Sequence, residues 1–177
     1  MRSSTRRLRD LTVFAMLGTT ILASQIVTYG IPGVQLVMFF IATFTLTYRL
    51  RALIPIYVYV LLYLMYYGFL PWNLPYLYIW IPLWGLFMLA GKLESKLPKK
   101  ALIPIYMVLC GLFGLSYGTL YAPFWALIGG LTFQQTLAWI AAGFFTFDIP
   151  YAICNFAMGV LILPLSELLK KLDKGGI

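Results

Sequence analysis

Asp148 stands apart from every other acid of this chain: Asp10, Glu94, Glu167 and Asp173 all lie beside Lys or Arg, and Asp148 does not. Tyr151 follows it at i+3 and Asn155 at i+7, a spacing that puts three polar side chains on one stripe of a helix. A carboxylate, a phenol and an amide in a row can hold a ligand by charge and hydrogen bonds. They do not amount to a catalytic set. The chain has no His, and its two cysteines, Cys110 and Cys154, fall in different apolar stretches. This excludes His-based acid–base pairs, most metal sites and a disulfide framework. There is no Walker-type glycine loop, no Ser/Lys pair at depth and no pair of aspartates. The expected activity is binding without a cofactor, not catalysis.

Something must hold that stripe in place, and the composition says what. A hydrophobic share of 62% with 10% charged residues is far from the roughly 45–50% and about 25% of globular proteins. The thirteen Lys and Arg residues gather before the first apolar stretch (Arg2, Arg6, Arg7, Arg9), in two breaks (Arg49 and Arg51; Lys92, Lys96, Lys99 and Lys100) and in the tail (Lys170, Lys171, Lys174). Six crossings would put every cluster on one face, the cytoplasmic one, because translocating such charge through hydrocarbon is costly. The expected architecture is an all-α integral membrane protein of six transmembrane helices. It forms one domain over residues 1–177, with both termini cytoplasmic, in the plasma membrane of a prokaryote. Six spans of about 20 residues leave no room for a soluble domain. The net charge of +8 then faces anionic lipid headgroups, and no nucleic-acid partner is expected. The basic start followed by an apolar run resembles a signal peptide, but it is not followed by a cleavage site and a soluble chain. It is expected to stay as the first helix.

The expected crossings run over about residues 11–29, 34–48, 52–69, 76–91 and 101–121. Gly30-Ile31-Pro32-Gly33 breaks the first, and two prolines mark an outer turn at residues 70–75. A longer outer segment over 122–136 holds Gly129, Gly130, Gln134 and Gln135. The stretch 137–169 exceeds one crossing, so it divides into a re-entrant or interfacial piece up to Phe147 and a sixth helix from Asp148 onward. Pro150 suits the first turn of that helix. Residues 51–57 (Arg-Ala-Leu-Ile-Pro-Ile-Tyr) echo residues 100–106 (Lys-Ala-Leu-Ile-Pro-Ile-Tyr), either as a duplication or as two ordinary basic helix starts with an early proline.

Asp148 would be the only charge on the outer side. An acid at membrane depth is expensive and marks a functional site by default. The competing account makes it the N-cap of the sixth helix. Asn155, polar in an apolar helix, must bond another helix or a ligand. The outer half also carries Tyr66, Tyr67, Trp72, Tyr76, Tyr78, Trp80, Trp84, Tyr117, Tyr121, Trp125 and Trp139, whereas the cytoplasmic side has Tyr48, Tyr57 and Tyr106. An aromatic belt should serve both faces, so the imbalance favours an outer pocket, with Trp80 and Trp139 the first candidates to touch a ligand.

With these residues in view, the chain resembles the substrate-binding S components of energy-coupling-factor (ECF) vitamin transporters. The resemblance rests on the basic N-terminus, the six crossings and a last helix reading Phe147-Asp148-Ile149-Pro150-Tyr151-Ala152-Ile153-Cys154-Asn155-Phe156 before Leu163-Pro164-Leu165. The family's first helix often carries an Ala-x-x-x-Ala pattern that docks on the transmembrane coupling subunit. The matching positions here are Ala15 and Thr19, with Gly18 and Ala23 nearby, so the motif weakens to small-xxx-small. The resemblance implies high-affinity capture of a vitamin or vitamin precursor near the outer face. Delivery would involve the coupling subunit and two cytosolic ATPase subunits. With Asp148 as the sole outer charge, a carboxylate vitamin would lack a counter-ion, and a neutral or cationic heterocycle is favoured. The alternative is a structural membrane protein of the cell-shape machinery, MreD-like in length and helix count, with no small-molecule substrate.

Overall fold

The computed structural model describes residues 2–175, with side chains over 8–173. The side chains of Arg2, Arg6, Arg7 and Lys174 lie outside the described residues. Among the described residues the protein is all-helical, without strands. Five helical runs are long and apolar enough to cross a membrane: Leu8–Thr28, Val37–Tyr67, Pro71–Ser95, Lys99–Gly129 and Phe133–Asp173.

The first run belongs to α1 (Arg2–Thr28). The second holds α2 (Val37–Tyr48) and α3 (Leu53–Tyr67), joined by a 3-10 turn over Arg49–Ala52. It is not one rod. Arg49 has φ 57° and ψ −123°, outside any helical region, so the chain turns there. The contacts bear this out. Arg51 pairs with Asp10 near the start of α1, and Tyr29 meets Tyr67 at the other end, with ring centroids 5.9 Å apart, so α1 and α3 run parallel. Tyr48, at the end of α2, lies edge-on to Phe14 at 5.2 Å, so α2 runs against both. The direction reverses where Arg49 and Arg51 interrupt the apolar pattern.

Gly68, at φ 90°, ends α3, and Pro71–Leu77 forms a 3-10 segment that leads into α4 (Trp80–Ala90). Pro71 sits in the first turn of that segment, where its missing N–H costs nothing. The α4 helix returns to the basic end: Arg49 Nη2 donates to the Met88 carbonyl at 2.9 Å, and Trp84 Nε1 donates to the Arg49 carbonyl at 3.2 Å. Next, α5 (Lys99–Gly129) rises past α4, with Tyr106 against Phe87 and Tyr117 against Trp80. Gly130 in the left-handed region stops it. The chain then descends without a break through α6 (Phe133–Gly143), a π-helical turn (Phe144–Asp148), α7 (Ile149–Met158), a 3-10 turn and α8 (Ile162–Gly175). Lys99 pairs with Glu167 at 2.6 Å where α5 and α8 meet. Asp173 shares a polar recess with Asp10, Tyr48 and Arg51, so both ends of the described chain lie at the basic end.

Helix boundaries differ from the sequence expectation in one region. The segment 122–136 is not a long outer loop. Helix α5 continues through Pro123 to Gly129, and α6 starts soon after. Thr132 and Gln135 explain the restart. The Thr132 hydroxyl accepts from the Gln135 amide, and the Gln135 side chain accepts from the Thr132 amide, a reciprocal capping box. The last descent therefore begins at Phe133 instead of Asp148.

The core lies among α2, α3, α4 and the lower half of α5, where Ile41, Phe44, Ile56, Tyr59, Leu83 and Phe87 are buried. Thr43 and Thr45 are buried on α2 as well, each donating to the carbonyl four residues back, which satisfies the hydroxyl inside its own helix. Helices α5 and α7 approach closely. A Cβ added at Gly114 would fall 2.8 Å from the backbone N and Cα of Ala152. That close contact fixes the height of Asp148 against α5.

Candidate functional site

Asp148 sits at the last position of the π-helical turn with helical dihedrals (φ −68°, ψ −43°), inside a continuous descent. Its side chain caps nothing on its own helix. Instead Oδ1 accepts a hydrogen bond from the backbone amide of Gly118 on α5 at 3.0 Å. The N-cap account therefore fails, for a geometric reason: the helix does not start here, so it has no free amides to cap. Glycine at 118 is required by space, since a Cβ there would stand 2.7 Å from Asp148 Oδ2. The second oxygen, Oδ2, is buried and has no hydrogen-bond partner. Asp148 as a whole is 1% exposed.

This carboxyl forms part of the wall of a cavity of about 510 Å³ between the upper parts of α5 and α6. Tyr117, Tyr121 and Gly118 supply the α5 side; Trp139, Ala142 and Gly143 come from α6; Thr146, Phe147 and Asp148 come from the π turn, and Tyr151 from α7. A π turn carries one residue more than an α turn, so it rotates the side chains after it, and such turns are frequent at functional sites. Here it carries Thr146, Phe147 and Asp148 onto one wall. Tyr117 meets Tyr151 edge-on at 5.7 Å, and Trp125 leans on Trp139 at 6.5 Å. Tyr121 is anchored by donating to the Trp72 carbonyl, and Tyr78 donates to the Leu120 carbonyl at 2.9 Å, tying α5 to the 3-10 segment.

Of the five residues proposed from sequence to touch a ligand, the structure brings three to this cavity: Asp148, Tyr151 and Trp139. Trp139 is 37% exposed and available. The other two lie elsewhere. Trp80 is 1% exposed, among the rings of Tyr59, Tyr76 and Tyr117, and its indole N–H has no partner. Asn155 is 0% exposed and lines neither cavity described here. Its amide donates to the Tyr151 carbonyl at 2.8 Å, and its oxygen faces Cys110 Sγ at 3.8 Å. The i, i+7 stripe is real, but Asn155 falls one turn too deep and serves the α5–α7 contact. On α1, Ala15, Thr19 and Ala23 are exposed, spaced by four along one outward stripe. Gly18 points the other way, against Val58 and Pro55 of α3.

A second cavity of about 360 Å³ adjoins the first and shares Thr146, Phe147 and Tyr151 with it. Its remaining walls come from the end of α1 and the turn after it (with Gln25 and Gln35), from α3 (Tyr63) and from the 3-10 segment Pro71–Leu77 (Tyr76). Gln35 and Gly118 join the site although neither is among the residues expected from sequence to touch a ligand. Gln35 carried a usable signal, as an amide at the threshold of the apolar second helix. Gly118 carried none, because only the packing of α5 on α7 exposes its amide to a carboxylate. No family model matches the chain, nor does any curated protein or solved structure. The fold and the cavity must therefore define the class by themselves: an all-helical protein with five runs fit to cross a membrane, holding a half-satisfied acid in an aromatic cavity at the end away from its basic residues.

Proposed function

We propose that the chain is a multi-pass protein of a prokaryotic plasma membrane that captures a vitamin-like heterocycle at the outer face. On this reading it is the substrate-binding S component of an ECF-type transporter. It would hand its cargo on with a transmembrane coupling subunit and two ATPase subunits, and perform no chemistry itself. The alternation of helix directions supports six crossings with both ends cytoplasmic, since the reversal at Arg49 splits the 31-residue run Val37–Tyr67 into two. Basic residues at one end of the bundle agree with a cytoplasmic assignment of that end. The outward stripe of Ala15, Thr19 and Ala23 leaves a smooth face on α1 on which a coupling subunit could pack closely.

The observation that carries the reading is Asp148 Oδ2, a buried acceptor without a partner on the wall of a 510 Å³ aromatic cavity. A buried unpaired acceptor is costly, on the order of 1–3 kcal/mol, and a ligand that donates to it recovers that cost. Tyr and Trp faces suit a flat ring or a cation, and the cavity is lined by no Lys or Arg to neutralise an acid.

The test is mass spectrometry of small molecules released from the full chain purified in mild detergent, with Asp148→Asn beside it. A stoichiometric heterocycle, depleted in the variant, is the expected result. An empty protein, or the same lipids from both, overturns the capture reading and leaves a structural role of the MreD-like kind.

A further inference from the structure

The second cavity has its own unsatisfied chemistry. Gln35, at the foot of the turn between α1 and α2, is 6% exposed, and its Oε1 has no partner. Above it the turn is pressed onto α7: Gly33 has φ +77°, and a Cβ there would fall 2.6 Å from Pro150 Cβ. Two other lining residues, Gln25 and Tyr76, belong to a hydrogen-bonded chain. Tyr59 donates to Gln25 Oε1 at 2.6 Å, Gln25 Nε2 donates to Tyr76 Oη at 3.2 Å, and Tyr117 Oη lies 3.2 Å from Tyr76 Oη. Tyr76 is hydrogen-bonded to Tyr63 as well, and Tyr63 donates to Asn73 Oδ1 at 3.0 Å, so these phenols satisfy one another. What the chamber offers a ligand is therefore the unpaired acceptor at Gln35. No charged side chain lines it.

We propose that this chamber is a second, uncharged subsite of one composite site, and that the ligand has two unlike ends. An aromatic, N–H-bearing and preferably cationic ring lies in the first cavity against Asp148. A short hydroxyl- or amide-bearing arm passes the shared wall of Thr146, Phe147 and Tyr151 and meets Gln35. The inference rests on the capture reading and goes further by assigning the neutral half of the ligand to a particular residue. A ligand with a negatively charged arm is disfavoured, because no Lys or Arg lines the chamber to neutralise it.

Two probes separate the halves: benzamidine, a ring cation alone, and 4-(3-hydroxypropyl)benzamidine, the same ring with a hydroxyl arm. Binding of each to the detergent-purified full chain is measured by calorimetry for wild type, Asp148→Asn and Gln35→Leu. The arm should raise wild-type affinity by about tenfold, the worth of one buried hydrogen bond, and Gln35→Leu should erase that gain without changing benzamidine binding. Asp148→Asn should weaken both probes alike. Thermal unfolding provides the control: removing an unpaired buried acceptor should leave the midpoint of Gln35→Leu unchanged or higher. Gln35→Met, closer in shape, serves if the leucine variant does not fold. An arm that gains nothing, or a gain that survives in the Gln35 variant, overturns the second subsite while leaving capture intact. Failure of wild type to bind either probe overturns the cationic-ring assignment as well.

Discussion

At the basic end of the bundle, carboxylates meet their partners. Asp10 pairs with Arg51, Glu94 with Lys170 at 2.8 Å and Glu167 with Lys99 at 2.6 Å, while the Arg49 guanidinium donates to the Met88 carbonyl at 2.9 Å. At the far end, Asp148 and Gln35 are more deeply buried than any of those acids, yet each keeps an oxygen without a partner. Burial without satisfaction is the costly combination, and it occurs where the protein has cavities and aromatic rings. The paired end has its polar groups satisfied; the unpaired end is where something from outside can be held.

The contrast can be broken most sharply at Asp148. Asp148→Asn keeps the shape but loses the charge, and ligand affinity should fall by roughly tenfold to a hundredfold, the value of a charge-assisted hydrogen bond. Calorimetry or retained-ligand stoichiometry reads this directly, and unchanged affinity would sink the site. A second blow comes from the α5–α7 contact that sets Asp148 against Gly118. Gly114→Leu must push Ala152 away and should destabilise by about 1–3 kcal/mol, measured as a lower unfolding midpoint in detergent. Gly33→Ala acts more gently. It places a Cβ in the left-handed region and against Pro150, and should cost about 1 kcal/mol while loosening the turn over the second cavity. Its signature is faster ligand release with an unfolding midpoint lowered by about 2–4 °C. Thr132→Ala removes half of the capping box and should cost about 1 kcal/mol, visible as faster amide exchange over the first turn of α6. The smallest effect sharpens the comparison from the other side. Glu167→Gln, at a pair whose lysine is 71% exposed, should change stability by under about 1 kcal/mol and leave binding untouched.

Part of the site was legible in the residues themselves. A charge is costly in an apolar chain, so Asp148 stood out, and helical spacing correctly put Tyr151 beside it. Trp139 followed from the uneven distribution of rings. Trp80 and Asn155 lie outside the cavity, because spacing along one helix says which face a side chain occupies, not which neighbour covers that face. Tyr59, Tyr76 and Tyr117 enclose Trp80, and Cys110 meets Asn155. The overlong stretch 137–169 was recognised as unusual, yet its true start was missed, since Thr132 and Gln135 were not read as a reciprocal cap.

The sequence by itself determined the helical character, the apolar runs and the gathering of Lys and Arg in a few short segments. These follow from local periodicity and from the cost of placing charge in hydrocarbon, both of which act residue by residue. Tertiary structure alone decided that Arg49 reverses the chain, that Asp148 meets the amide of Gly118, and that Gln35 and Tyr76 face one chamber. Each depends on contacts between residues far apart in the chain, which become neighbours only when α7 closes upon the glycines of α5 and the turn at Gly33 settles on Pro150.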